Sequence, residues 1–117
     1  MPQTEDQIQA QFYKTAYNQY PQIRGLLFSV PNGGSRNTLE AMKFKATGLT
    51  PGVPDMILLW DGKVYGFEFK TATGRLSEAQ ERIHQIWRGA GVQVFIPRSS
   101  EEALGQLQSI ILPTSSG

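Results

Sequence analysis

Between Thr4 and Tyr20 the apolar residues Ile8, Phe12 and Ala16 recur every four positions, with Tyr13 and Tyr20 beside them and polar side chains between. That spacing predicts an amphipathic helix over about 4–19. Thr4 is a natural cap, Gln7 its capping-box partner, and Pro21 the stop. The short apolar run 26–30, bounded by Gly25 and Pro31, reads as a strand, and 31–36 as a loop by its turn chemistry. Asn37 followed by Glu40 predicts a second helix start, with Gly48 as its stop. After an irregular link over 50–54, two strand-like runs, 55–60 and 63–70, flank Asp61-Gly62, a strong short hairpin signal. Ser77 then caps a third helix over about 78–89, closed by Gly91. Residues 92–96 read as a strand, and Ser99 or Ser100 opens a last helix to about 111. The predicted order is α-β-α-β-β-α-β-α, an α/β layer fold with a mixed central sheet. It forms a single domain over 1–112, with 113–117 as a flexible tail and no internal repeat.

Composition narrows the chemistry. The 117 residues, 39% hydrophobic and 18% charged, suit one globular domain rather than a disordered chain. With no cysteine, a disulfide framework, a thiolate nucleophile and a cysteine zinc site are excluded; with His84 as the single histidine, so is a histidine-rich one. A bound metal would be held by oxygen, which favours Mg²⁺, Mn²⁺ or Ca²⁺. The acidic, polar start is no signal peptide, and no apolar run approaches a membrane span, so a cytoplasmic protein with no membrane partner is expected. A net charge of +1 says nothing for or against nucleic-acid binding.

The candidate chemistry lies in the hairpin. A two-residue turn at Asp61-Gly62 sets Trp60 opposite Lys63, Ile57 opposite Gly66 and, in register, Asp55 opposite Glu68. Opposed residues share a sheet face with Cβ atoms about 4.5–5.5 Å apart, and Lys70, two residues on, shares it too. Two carboxylates this close need a shared proton or a cation. Apolar residues on both faces of these strands (Met56, Leu58, Phe67 and Phe69 on one; Ile57, Leu59 and Val64 on the other) predict a hairpin covered on both sides. A divalent ion held by Asp55, Glu68 and the main-chain carbonyl of Phe69, with Lys70 stabilising developing charge, would satisfy the pair. The competing reading is a surface hairpin with an ordinary ion pair. Mid-strand Gly66 favours a site, because it lets a ligand or another backbone approach.

Pro54-Asp55 followed by Glu68-Phe69-Lys70 resembles the PD-(D/E)XK nuclease signature. Glu5-Asp6-Gln7-Ile8-Gln9, Pro31 through Arg36, Gly48 through Asp55, and Gly74-Arg75-Leu76-Ser77 with Gln80 extend the likeness in order. Together they resemble the VRR-NUC (virus-type replication-repair nuclease) branch, in its stand-alone phage or bacterial type, from about Glu5 to Ile96. The resemblance implies a restriction-endonuclease-like core. It adds Glu5 to the metal site and Gln80 to the catalytic set, although Glu5 also suits a helix start and Gln80 a capping box. It places Asn32, Arg36 and Arg75 in loops that would meet DNA. His84 stands where some related nucleases carry an aromatic, and is expected on the helix surface or in packing. Trp87, with Ile83 and Ile86, is expected in the core.

The implied activity is Mg²⁺- or Mn²⁺-dependent hydrolysis of DNA, with one or two ions, directed at four-way junctions or other branched DNA by a homodimer in a bacterial or phage-infected cell. The alternatives are a flap- or restriction-type nuclease, a non-catalytic nucleic-acid-binding module on a nuclease fold, and a purely structural protein.

Overall fold

The computed structural model describes residues 2–31 and 38–113. Along them run helix α1 (Glu5–Gln19), a 3-10 turn (Pro21–Ile23), strand β1 (Leu27–Ser29), α2 (Thr38–Ala46), β2 (Met56–Trp60), β3 (Lys63–Phe67), α3 (Glu78–Gly89), β4 (Gln93–Phe95) and α4 (Ser100–Ile111). The order read from the sequence holds. The 3-10 turn is an addition, begun by Pro21, whose fixed φ suits a first helical position. No described helix is long and apolar enough to cross a membrane.

The four strands form one sheet in the order β1-β2-β3-β4. The first two pairings are antiparallel and β3–β4 is parallel. Asp61 and Gly62 both have positive φ, 52° and 73°. This primed turn matches the right-handed twist of the strands, and it fixes the expected register, Trp60 opposite Lys63 and Ile57 opposite Gly66. The β3 ladder stops at Phe67, short of the expected Lys70, because its antiparallel partner begins at Met56. Residues 68–70 run on beside the other neighbour. Glu68 N–H donates to the Phe95 carbonyl (2.9 Å) and Lys70 N–H to that of Pro97 (3.1 Å).

One sheet face carries the core. Ile8, Phe12 and Ala16 of α1 and Ala103, Leu107 and Ile111 of α4 cluster with Leu27, Met56, Leu58, Phe67 and Phe69. The Phe12 ring centroid lies 5.5 Å from that of Phe67 and 5.6 Å from that of Phe69. Each such side chain, fully buried, contributes about 1.5–3 kcal/mol. On the opposite face α3 sets Gln80 and His84 against Glu68 and Trp87 beside Gly66. Towards the hairpin tip, Leu59 and Val64 are 41% and 37% exposed, so the expected cover on both faces is partial. Trp87 is half-buried rather than core, and Ile86 is 59% exposed.

α1 and α3 begin the same way. In each, the cap hydroxyl (Thr4, Ser77) accepts from the N–H three residues on, and the glutamine there (Gln7, Gln80) accepts from the cap N–H. The link before β2 is pressed onto the start of α3. A Cβ at Gly52, where φ is 95°, would collide with the Ala79 carbonyl.

Gly52→Ala therefore meets both backbone strain and a clash with rigid backbone, and is expected to cost about 2–4 kcal/mol. Gly62→Ala, with positive φ and open space around it, is expected to cost about 1–2 kcal/mol from strain alone. Chemical denaturation of both variants measures the difference.

Candidate active site

Asp55 and Glu68 are the first residue pair beyond the β2–β3 ladder, one step past Met56 opposite Phe67. The Asp55 carbonyl accepts from Val30 N–H at 2.8 Å, which ties the residue to the end of β1. Its side chain turns to the segment that continues β3, where Oδ2 accepts from Phe69 N–H at 2.8 Å. Glu68 is 1% exposed. Its two oxygens are met from one face of α3: Gln80 Nε2 donates to Oε2 at 3.3 Å, and His84 Nε2 lies 3.1 Å from Oε1. Residues four apart on a helix stack on the same side, so one helix reaches both oxygens. Lys70 is buried to 7% exposure and puts Nζ 3.8 Å from Glu5 Oε2. Glu5, Asp55, Glu68 and Gln80 line one pocket of about 420 Å³, floored by Gly52 and Pro51.

The electrostatics follow from this crowding. Burial, then the hydrogen bond and negative charge of Asp55, push the Glu68 carboxyl up to about 9, against the opposing pull of Lys70. Burial, with the Arg88 charge next, holds His84 below its ordinary value, so it is neutral near pH 7. The pocket thus holds two carboxylates that favour a proton or a cation between them.

The structure brings Glu5, Asp55, Glu68, Lys70 and Gln80 together. Gln80 fills both roles read for it, since its Oε1 accepts from Ser77 N–H at 2.9 Å while its Nε2 meets Glu68. Glu5 lines the pocket but pairs with Lys70. Among the described residues no group of three or more His, Asp or Glu is close enough to hold a metal ion. Two hard carboxylates at an open pocket nonetheless suit Mg²⁺ or Mn²⁺, ions that keep several waters and bind through one or two carboxylates plus substrate phosphate.

Of the two places expected for His84, helix surface or packing, the structure gives the second: it is fully buried and hydrogen-bonded to Glu68. The reading of Gly66 changes. Gly66 makes room for Pro54 and Trp87 rather than for a ligand, since an added Cβ would lie 2.8 Å from Pro54 Cγ and 3.4 Å from the Trp87 ring. Asn32 and Arg36 lie outside the described residues, while Arg75 is exposed on the loop before α3.

Sequence reading missed Arg98. Its guanidinium donates to the carbonyls of Thr71 (2.6 Å) and Gly74 (2.7 Å), with Ala72 at 3.4 Å, and so shapes the loop that follows Lys70. No local pattern marks it. The signal is the parallel placement of β4 beside β3, which carries residue 98 past residue 71.

A carboxyl whose pKa rises from 4.5 unfolded to about 9 folded binds a proton that the unfolded chain releases. Its contribution to stability is present at low pH and is lost as pH rises through that window. Without divalent ions, the melting temperature is expected to fall between pH 5 and pH 9 more steeply in the wild type than in Glu68→Gln. Thermal melts of both proteins in EDTA across that range give the comparison.

The profile of the VRR-NUC domain matches residues 2–101. A solved structure described as a VRR_NUC domain protein superimposes with a TM-score of 0.79 at 19% identity, covering 95% of this chain and 90% of its own. That likeness shows the restriction-endonuclease-like fold, with its four-stranded mixed sheet flanked by helices. No curated protein sequence matches the chain. On the extent of the family match, this is a nuclease-type domain, and the chain belongs to the VRR-NUC domain family.

Proposed function

We infer that the domain is a divalent-metal-dependent endodeoxyribonuclease that hydrolyses phosphodiesters in branched DNA. The observation that carries this reading is the buried Glu68 carboxyl set against half-buried Asp55 at one pocket, with the buried Lys70 close enough to pull against its raised pKa. Such a pair is costly unless a cation joins it.

Asp55 and Glu68 are the residues that would hold Mg²⁺ or Mn²⁺. Phe69 N–H points at Asp55. In extended chain a residue's N–H and C=O leave on the same side, so the Phe69 carbonyl is assigned as a third protein oxygen. Glu5 is the fourth candidate, reached by turning from Lys70. When bound, the ion supplies charge neutralisation at the scissile phosphate and lowers the pKa of a water. The chain's own residues do the rest. Lys70, held by Glu5, offers a buried ammonium to the charge that builds on the phosphate oxygens. Gln80 and His84 orient Glu68. Arg75, exposed on the loop before Ser77, is proposed to meet a neighbouring phosphate, and Asn32 and Arg36 are proposed for the same strand.

Branched DNA, and four-way junctions in particular, is the substrate proposed from the resemblance to the VRR-NUC family. Cutting a junction symmetrically needs two sites related by a two-fold axis, so the working form is proposed to be a homodimer.

Asp55→Ala and Lys70→Ala are each expected to lower cleavage at least about 10²-fold, with circular dichroism unchanged, and EDTA is expected to abolish it. The assay is a panel of labelled junctions, flaps, duplexes and single strands with Mg²⁺ or Mn²⁺. Full activity in either variant would remove the proposal, and cutting of flaps alone by a monomer would remove its junction and dimer parts. Arg75→Ala should weaken DNA binding at all sequences and reduce the salt dependence by about one phosphate contact, read by anisotropy titrations at several salt concentrations.

A further inference from the structure

His84 has no exposed surface and sits against Glu68, the one fully buried carboxylate among the described residues. Its Nε2 is 3.1 Å from Glu68 Oε1, while its Nδ1 is buried and has no hydrogen-bond partner among the described residues. These two facts select a tautomer whenever Glu68 is ionised. A proton on Nδ1 would leave a buried N–H without an acceptor and turn the bare Nε2 lone pair onto a carboxylate oxygen, two unfavourable terms at once. A proton on Nε2 leaves only an unpaired lone pair at Nδ1, the lesser cost. Ionised Glu68 therefore receives a hydrogen bond from His84.

The two α3 contacts on Glu68 are not equivalent. Gln80 is a half-buried residue at the pocket wall, and it reaches Oε2 at the longer distance of 3.3 Å. His84 grips Oε1 from inside the protein, where no ligand can compete for it. Oε2, met only by the pocket-lining Gln80 at the longer distance, is the oxygen left for an incoming cation, with Gln80 able to yield.

We propose that His84 is a positioning residue: its Nε2–H pins Glu68 Oε1 and so presents Oε2 alone to the divalent ion. The proposal rests on the metal-dependent reading above, and names the residue that makes Glu68 a one-oxygen ligand held in a fixed rotamer. Groups that orient a metal ligand in this way typically change metal affinity 10–100-fold when removed.

Side-chain chemistry supplies the test. A glutamine at 84 places its amide nitrogen near the position of Nε2, whereas an asparagine reaches only as far as Nδ1. The full chain would be compared as wild type, His84→Gln, His84→Asn and His84→Phe. The first readout is the Mn²⁺ concentration that gives half of the maximal rise in melting temperature, with no DNA present. The second is the Mn²⁺ dependence of cleavage of the best substrate, with KM for DNA measured separately. His84→Asn and His84→Phe are expected to need at least about 10-fold more Mn²⁺ in both assays, with KM for DNA unchanged. His84→Gln is expected to return most of the loss.

A purely structural histidine would instead lower the metal-free melting temperature in every variant and leave the Mn²⁺ midpoint where it was, and that result would overturn the proposal. So would an asparagine variant as good as the glutamine one. If His84→Phe fails to fold, the Gln–Asn pair alone decides. A wild type that Mn²⁺ does not stabilise would remove this proposal together with the metal-dependent function, whereas a normal wild-type response with unshifted variants would remove this proposal only.

Discussion

Two carboxylates held on one sheet face, with one of them sealed from water, form the constraint around which the rest of the domain is organised. The separation of Asp55 and Glu68 is not adjustable by the side chains alone, because a two-residue turn and a continuous ladder fix which residues face each other. The repulsion has to be met by groups placed around the pair. Phe69 N–H meets Asp55, Gln80 and His84 meet the two oxygens of Glu68, and Lys70 supplies the nearest buried positive charge. Each of these comes from the same strand or from the helix that follows it.

That helix is suited to the task by more than its side chains. The first turn of α3 faces the pocket, so the positive end of its backbone dipole points at the acidic cluster. The capping box that starts the helix also fixes Gln80, since the amide oxygen is committed to Ser77 and only the NH₂ end is left for Glu68. A structural cap and a site contact are therefore two ends of one side chain. Gly52 lets the preceding link close against the same helix turn, so the pocket floor and the helix start are positioned by a single packing contact.

The sequence exposes the parts of this arrangement that are local. The four-residue spacing of α1, both capping boxes and the Asp61-Gly62 turn are rules about neighbours, and the turn alone is enough to place Asp55 across from Glu68. Contacts that depend on how distant segments meet are not legible in that way. His84 looks like one more polar residue on a helix until α3 is laid on the sheet, and Arg98 is unmarked until β4 is paired with β3. Gly66 shows the opposite failure: the close approach read from it is real, but the groups approaching are Pro54 and Trp87. Glu5 lies between these cases, in the right pocket with its carboxylate committed to Lys70.

The backbone pairing of residues 68–70 also sets an order of assembly. The hairpin that aligns Asp55 with Glu68 is among the quickest structures a chain can form, on a scale of about 1–10 μs. The segment that bears Glu68 and Lys70 is held, however, by the carbonyls of Phe95 and Pro97, and the loop after it by Arg98. Those partners lie some 27 residues further along the chain, and a parallel pairing must wait for the intervening helix to cross over. During synthesis or refolding the acidic pair can thus be aligned early, while Lys70 and its loop take their positions late. A chain caught between the two stages would carry the acidic residues of a nuclease without the geometry to cut.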